Sequence, residues 1–190
     1  MNIGRKPAAP WLLALAVVAS AIGPAAAGAS TVRAAILQAH GIGAAQFQMP
    51  KVATVAQLTA LFGAPSARGV NTGCGPRYSE VEWRDLVAEF RLGKFSGYRF
   101  IEGGYPITTP GSPRETSRAK AVFPQLATAR GISLGSTLAQ LRAAYGVLHR
   151  VGADMWRSGN GLIFVDDGKR DPVPTTSHIV EIKIGTCGGF

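Results

Sequence analysis

The chain has 190 residues and carries 20 lysines and arginines against 11 aspartates and glutamates, which gives a formal net charge of +9. The basic residues are spread along the chain without a long basic block, and no aromatic–basic motif of a nucleic-acid reader is present. These features exclude nucleic acid as the expected partner. A positive excess can meet anionic wall polymers, membrane headgroups or acidic proteins, but basic residues spread in this way are better explained as an ordinary solvated surface.

Residues 1–29 have the pattern of a secretory signal peptide. Arg5 and Lys6 precede an apolar run from Trp11 to Ser20, and alanines and glycines that fit a signal-peptidase site follow. The apolar run is too short to span a membrane, although an uncleaved N-terminal anchor is the alternative. No cysteine stands near the cleavage site, so we expect no lipid anchor. The predicted location is secreted or extracytoplasmic.

One stretch of the sequence occurs twice. Thr54–Gly63 recurs as Thr137–Gly146, and each residue of the first copy lies 83 positions before its counterpart. Each copy predicts a short helix that begins at a threonine N-cap, with a glutamine three residues later that completes a reciprocal cap. Apolar residues follow at helical spacing, and a glycine stands where a left-handed C′ residue is favoured. Because such a short helix is not stable alone, we expect it to pack on a sheet. The predicted caps are Thr54 with Gln57 and Thr137 with Gln140.

The residues after each helix alternate in the way that predicts three antiparallel strands. A change of parity at Arg84–Asp85 predicts a tight turn or bulge, and Asp166–Gly168 predicts a hairpin turn. The predicted strands are Tyr78–Trp83, Leu86–Leu92 and Phe95–Ile101 in the first copy, and Val151–Trp156, Leu162–Val165 and Ile179–Ile184 in the second.

The expected fold class is α+β, with two tandem helix-strand-strand-strand repeats and antiparallel sheets covered by short helices. The first predicted repeat spans residues 30–102, a linker rich in Gly, Pro, Ser and Thr spans 103–118, and the second repeat spans 119–190. The pattern leaves open whether the repeats form one sheet or two.

The two cysteines are Cys74 and Cys187. In an oxidising compartment they predict one disulfide, which would close a loop of about 110 residues and contribute about 4–5 kcal/mol on the chain-entropy model. The competing interpretation is two free thiols. Neither cysteine has the spacing of a redox pair or a zinc site.

A catalytic pattern is present around Ser133, because Gly131–Gly135 matches Gly-x-Ser-x-Gly and Asp154 and His178 follow. That pattern needs a parallel strand feeding a helix in a larger sheet, whereas the predicted sheet is antiparallel. We therefore expect no catalytic residue. No metal-ligand spacing and no phosphate-binding loop is present, so we also expect no metal and no cofactor.

Aromatic residues supply the candidate partner-binding set. Trp83 and Trp156 occupy matching places in the two copies, where they predict core aromatics that pack against the helices. The alternative is that they line a partner-binding face, since Trp and Tyr are favoured in binding hot spots. Tyr78, Phe95 and Tyr98 complete the candidate set.

The order Gly-Ile, then Thr-x-Ala-Gln-Leu and a helix ending in Phe-Gly or Tyr-Gly, resembles the tandem α/β fold of secreted β-lactamase inhibitory proteins and the related small outer-membrane assembly lipoprotein module. It is also similar to a set of uncharacterised secreted bacterial proteins. The resemblance covers both repeats and implies a binding role through the sheet and its loops. The chain departs from the inhibitors in having two cysteines rather than one disulfide in each domain, and it lacks the lipid-bearing cysteine of the lipoprotein. Neither the inhibitor's target nor the lipoprotein's membrane role is therefore implied.

We expect a secreted, non-catalytic binding module for a protein or anionic cell-envelope partner, with no membrane span after signal removal. One alternative is a small secreted serine hydrolase that uses Ser133. The other is a basic structural protein that associates with the envelope through its charge.

Overall fold

The computed structural model describes residues 35–71, 78–104, 126–168 and 174–185. They all belong to one compact unit that spans residues 32–190. The described part contains two sheets and two short helices, so the α+β class with antiparallel sheets is confirmed. Within the described residues, no helix has the length and apolar character needed to cross a membrane.

The elements follow one another in a simple order along the chain. The first three strands are β1 (Ile36–Gln38), β2 (Gly41–Ile42) and β3 (Ala45–Gln46), and helix α1 (Lys51–Phe62) comes next. After α1 come β4 (Ala67–Asn71), β5 (Tyr78–Trp83), β6 (Leu86–Arg91), β7 (Lys94–Ile101) and β8 (Ala127–Thr128). Helix α2 (Leu138–Tyr145) precedes β9 (Leu148–Arg150), β10 (Met155–Ser158), β11 (Ile163–Asp166) and β12 (Ile179–Ile184).

The larger sheet has eight antiparallel strands in the order β4-β5-β6-β7-β12-β11-β10-β9. Each half of this order is a meander that follows one helix, and the two halves meet where β12 pairs with β7. The sequence left open whether the two halves form one sheet or two, and they form one continuous sheet. A second, smaller sheet has the order β3-β2-β1-β8, in which β1 and β8 are parallel.

The core lies on one face of the large sheet, under the helices. A row of apolar side chains crosses six strands of this face, since Trp83 pairs with Leu86, Leu86 with Phe100, Phe100 with Ile182, Ile182 with Phe164, and Phe164 with Trp156. The helices and the small sheet add buried side chains to the same cluster. These are Leu58 of α1, Leu138 and Leu141 of α2, Leu37 of β1 and Ile42 of β2. This burial is the main source of stability for two helices too short to persist alone.

The two helices begin differently. Helix α2 has the predicted capping box, in which Thr137 Oγ1 accepts from Gln140 N at 3.1 Å and Gln140 Oε1 accepts from Thr137 N at 2.8 Å. In α1 the predicted cap at Thr54 is wrong. That helix begins at Lys51 after Pro50, and the Thr54 hydroxyl donates to Pro50 O at 3.1 Å inside the first turn. Proline at a helix start has no N–H to leave unsatisfied, which favours the earlier start.

Several strand bounds were predicted correctly and others were wrong. Strands β5 and β12 have their predicted bounds, and Arg84 in the predicted tight turn has a φ of 54°. The predicted strand Val151–Trp156 is wrong, because β9 ends at Arg150 and β10 begins at Met155. Strand β4, β9 as a separate strand, and the whole small sheet were not predicted.

Candidate functional site

Four of the five candidate aromatic residues lie in the interior. Trp83 is 1% exposed, and Phe95 and Tyr98 are fully buried. The Trp83 indole N–H donates to Gly63 O at 3.0 Å, and the Tyr98 hydroxyl donates to Gln38 O at 2.9 Å. The large sheet is thereby tied to the end of α1 and to the small sheet, and these aromatic side chains pack in the core.

Trp156 is also buried, at 8% exposure, and its surroundings are polar. Its indole N–H donates to Asp166 Oδ2 at 2.6 Å. The guanidinium carbons of Arg142 and Arg150 lie 5.1 Å and 5.8 Å from the ring centre, within the range of cation–π attraction. Neighbouring side chains of the same chain therefore already occupy the contacts that this tryptophan offers.

Tyr78 differs from the other four because it is partly exposed and lies on the opposite face of the sheet. Side chains alternate between the two faces along β5, so Tyr78, Glu80 and Glu82 share one face while Val81 and Trp83 point into the core. We call the face that carries Tyr78 the polar face. Cross-strand register adds further charged residues to it. Its polar members are Asn71, Tyr78, Glu80, Glu82, Glu89, Arg99, His149, Arg157, Glu181 and Lys183.

An ion-pair cluster lies in this face. Arg99 Nη2 is 2.7 Å from Glu80 Oε1, and Arg99 Nε is 2.8 Å from Glu89 Oε1. The side-chain amide of Asn71 also donates to Glu80 Oε1, at 3.0 Å. Glu80 and Glu89 are directly opposite each other on β5 and β6, where two negative charges repel. Arg99 on the next strand offsets that repulsion by binding both carboxylates.

The cluster is well buried, and burial shapes its protonation. Glu80 and Glu89 are each 2% exposed, and Arg99 is 9% exposed. Burial raises the pKa of Glu89 to about 7; the Arg99 guanidinium opposes the shift, whereas the carboxylates of Glu80 and Glu181 add to it. One carboxyl of the cluster therefore changes its charge near neutral pH.

The polar face is an acidic region of a basic protein. It holds four of the six glutamates of the chain, while the chain as a whole has a formal charge of +9. Glu181 and Lys183 form a further pair at 3.4 Å, with side chains 17% and 13% exposed. The charges are thus held by one another in defined positions on a rigid sheet.

The polar face combines an ion-pair cluster with partly exposed charged side chains. Within the described ranges, no group of three or more His, Cys, Asp or Glu residues is placed to hold a metal ion. The two buried carboxylates of the cluster are bound by a guanidinium, which competes with any cation. Fixed charges of both signs beside a half-buried tyrosine can instead match a partner surface of complementary charge.

The residues of the hydrolase pattern have structural partners. The Ser133 hydroxyl donates to Leu126 O at 2.6 Å, and Ser133 N donates to Ser136 Oγ at 3.0 Å. His178 is exposed, and its Nδ1 lies 3.8 Å from Asp167 Oδ2. The serine therefore stabilises the turn before α2.

The predicted Cys74–Cys187 disulfide lies outside the described residues. The bond stays a prediction, as does its contribution to stability.

Sequence reasoning did not select Glu80, Glu89 and Arg99. A signal was present, because these residues stand at strand positions of opposite parity to the buried aromatic residues. What the pattern could not provide was the register that brings β5, β6 and β7 together.

Comparisons of the chain with protein-family models, with curated proteins and with solved structures found no match. The resemblance to β-lactamase inhibitory proteins therefore stays a prediction. Any functional conclusion must rest on the geometry of the polar face.

Proposed function

We propose that this protein is a secreted, non-catalytic binding module that holds a partner protein against its polar face. The observation that supports the proposal best is the Glu80–Arg99–Glu89 cluster on the sheet face opposite the helices. Burying charge is costly unless the charges are paired, and apolar residues often replace such pairs without loss of stability. The pairing fixes charged groups in the middle of this face, beneath the partly exposed side chains that a partner would meet.

The partly exposed charges of the face are of both signs, which favours a protein surface over an anionic envelope polymer as the partner. Glu82 and Glu181 are partly exposed there, together with Lys183 and Arg157. A polyanion offers charge of one sign only, whereas the charged side chains of a partner protein could match both signs. Partly exposed Tyr78 would supply the aromatic contact that binding hot spots often contain.

A duplication would account for the scaffold of this module. Helix α1 precedes four strands of the large sheet, helix α2 precedes the other four, and the order of the strands in that sheet is symmetrical about the β7–β12 pair. We infer that the two halves descend from one helix-and-meander unit. Such a duplication is also what the resemblance to the inhibitory proteins implies.

The test compares two charge reversals of the same kind. Glu82→Lys changes the polar face, and Glu102→Lys makes the same change at an exposed position in the turn after β7. The purified protein and both variants are immobilised and exposed to native extracts of culture medium and cell envelope. Proteins that the wild type retains are identified, and their affinities are then measured by surface plasmon resonance at two salt concentrations.

We expect Glu82→Lys to weaken binding at least tenfold and Glu102→Lys to leave it nearly unchanged. Tyr78→Ala should also weaken binding, and added salt should lower the affinity because exposed charges are screened. The proposal fails if the wild type shows no saturable binding, or if both charge reversals weaken binding equally. A retained ligand that proves to be a polyanion would also contradict it.

A further inference from the structure

An apolar pocket lies between helix α1 and the small sheet. Its volume is about 700 Å³, which is within the roughly 300–1,000 Å³ typical of small-molecule sites. The walls come from β1, from the turn between β2 and β3, and from the last turns of α1. The residues that line the pocket include Ile36, Gly43, Ala44, Gln57, Ala60 and Leu61.

Small side chains leave this space open. Gly43, Ala44 and Ala60 contribute at most a methyl group each to walls that larger residues would fill. Ile36 and Leu61 are each 38% exposed, which is unusual for large aliphatic side chains. The pocket therefore presents apolar surface to water, and an apolar ligand would remove that surface from water.

One residue that lines the pocket carries a buried polar atom without a hydrogen-bond partner. Gln57 Oε1 is buried and accepts no hydrogen bond. An unsatisfied buried acceptor is unfavourable, and natural proteins rarely keep one without a function. A donor from a bound molecule would satisfy it once the Gln57 carboxamide turns toward the pocket.

The start of α1 explains why this acceptor is available. Gln140, the matching residue of α2, uses its Oε1 to accept from Thr137 N at the helix start. Helix α1 begins three residues before Thr54, so Gln57 lies one turn further into the helix. Its side chain is released from capping and lines the pocket instead. The glutamine that the sequence pattern assigned to a cap is thus the single buried acceptor that the described structure leaves unsatisfied.

We propose that this pocket binds a small, uncharged, largely apolar molecule that donates one hydrogen bond, from a hydroxyl or an N–H group, to Gln57 Oε1. The apolar walls select the body of the ligand, and the lone acceptor selects its donor. Neither α1 nor the small sheet contributes to the polar face, so this site is independent of the proposed protein-binding function.

The experiment uses two fluorescent probes that differ in one group. N-phenyl-1-naphthylamine is neutral, apolar and carries a single N–H donor, and its N-methyl derivative lacks the donor. Fluorescence of each probe is titrated with the purified protein. We expect saturable binding of the first probe and about tenfold weaker binding of the second, the ratio that corresponds to one lost hydrogen bond of ordinary strength.

Two variants locate the site and the donor contact. Ala60→Phe fills the pocket and should abolish binding, whereas Ala56→Phe makes the same change at an exposed position of α1 that does not line the pocket. Gln57→Leu removes the acceptor, so it should bind both probes alike. Circular dichroism of each variant confirms that the fold is retained.

The proposal is overturned if neither probe binds saturably, or if Ala60→Phe binds like Ala56→Phe. It is also overturned if Gln57→Leu still prefers the probe with the N–H group. A dimer in sedimentation that excludes the probe as protein concentration rises would show that a second copy covers Ile36 and Leu61 instead.

Discussion

At the scale of single residues, Glu89 carries the clearest consequence. Its carboxyl is buried on a sheet face, 2.8 Å from the Arg99 guanidinium and directly opposite Glu80. The ion pair does not outweigh the cost of burial, and the pKa of Glu89 rises from 4.5 to about 7. In the unfolded chain this group would titrate near its ordinary value. Folding therefore takes up a proton between these two pKa values.

The sign of the resulting pH dependence follows from linkage. Between about pH 4.5 and 7 the folded protein binds more protons at Glu89 than the unfolded chain, so this carboxyl makes the free energy of unfolding fall as pH rises. The stabilisation is fully present below the unfolded pKa and is lost as pH passes the folded value. Glu89→Gln should remove this slope, which amounts to at most about 3 kcal/mol across the window.

Urea denaturation at several pH values between 4 and 8 would measure the effect. Glu102→Gln, at an exposed position in the turn after β7, is the control for the loss of one carboxylate. Identical slopes for Glu89→Gln and the wild type would show that Glu89 titrates at its ordinary pKa in the folded protein.

At the scale of elements, the two helices show that similar sequences can form different N-terminal caps. Both carry a threonine followed three residues later by a glutamine, yet only α2 uses the pair as a cap. Pro50 and Lys51 extend α1 backwards, which places Thr54 in a fully buried position. The cap of α2 should therefore contribute to stability in a way that the equivalent threonine of α1 cannot.

Thr137→Ala tests this difference. It removes the acceptor for Gln140 N, and we expect it to lower the free energy of unfolding by about 1 kcal/mol. Thr59→Ala, inside α1, is the control; it should cost little because alanine has the higher helix propensity. Thermal and urea unfolding would measure the free energy of unfolding of both variants. Equal losses for the two would contradict the capping role of Thr137.

The same comparison shows which elements could be predicted from sequence. Strands β5 and β12 have apolar alternation over six residues, and both were located correctly. Strand β4 lacks this signal, because Ala67–Asn71 contains arginine, glycine and asparagine at a half-exposed edge. The strands of the small sheet are two or three residues long, too short for any periodicity to be visible.

The candidate sites were harder to predict than the strands. The aromatic set was chosen by residue type, and burial then placed Trp83, Phe95 and Tyr98 in the core. The ion-pair cluster depends on the pairing of three strands, and the pocket depends on where α1 begins. Both are properties of register and of helix bounds, which a single sequence determines least well.

At the scale of the whole molecule, the two meanders form one sheet through a close approach of β7 and β12. Gly97 lies against the end of β12, where an added Cβ would be 2.7 Å from Ile184 O and 2.8 Å from the carbonyl carbon of Gly185. Only glycine fits this contact. Because the sheet is continuous and the core spans both halves, we expect the protein to unfold in a single transition.

Gly97→Ala tests the junction. The methyl group must displace backbone, and not a flexible side chain, so we expect a loss of about 1–3 kcal/mol or more. Gly159→Ala is the matched control, since an added Cβ at that position meets open space and the backbone has no positive φ. Differential scanning calorimetry would measure the stability of both variants and the number of unfolding transitions of the wild type. Two separate transitions in the wild type, or equal stability of the two variants, would contradict a shared core.

The order of strands in the large sheet has one more consequence. Its two outermost strands are β4 and β9, and both are short and carry exposed arginines, Arg68 and Arg150. Charged side chains on short border strands discourage a neighbouring molecule from adding its own strand. A broad sheet of eight strands can in this way stay monodisperse at high concentration, with fibril formation opposed by repulsion at both borders.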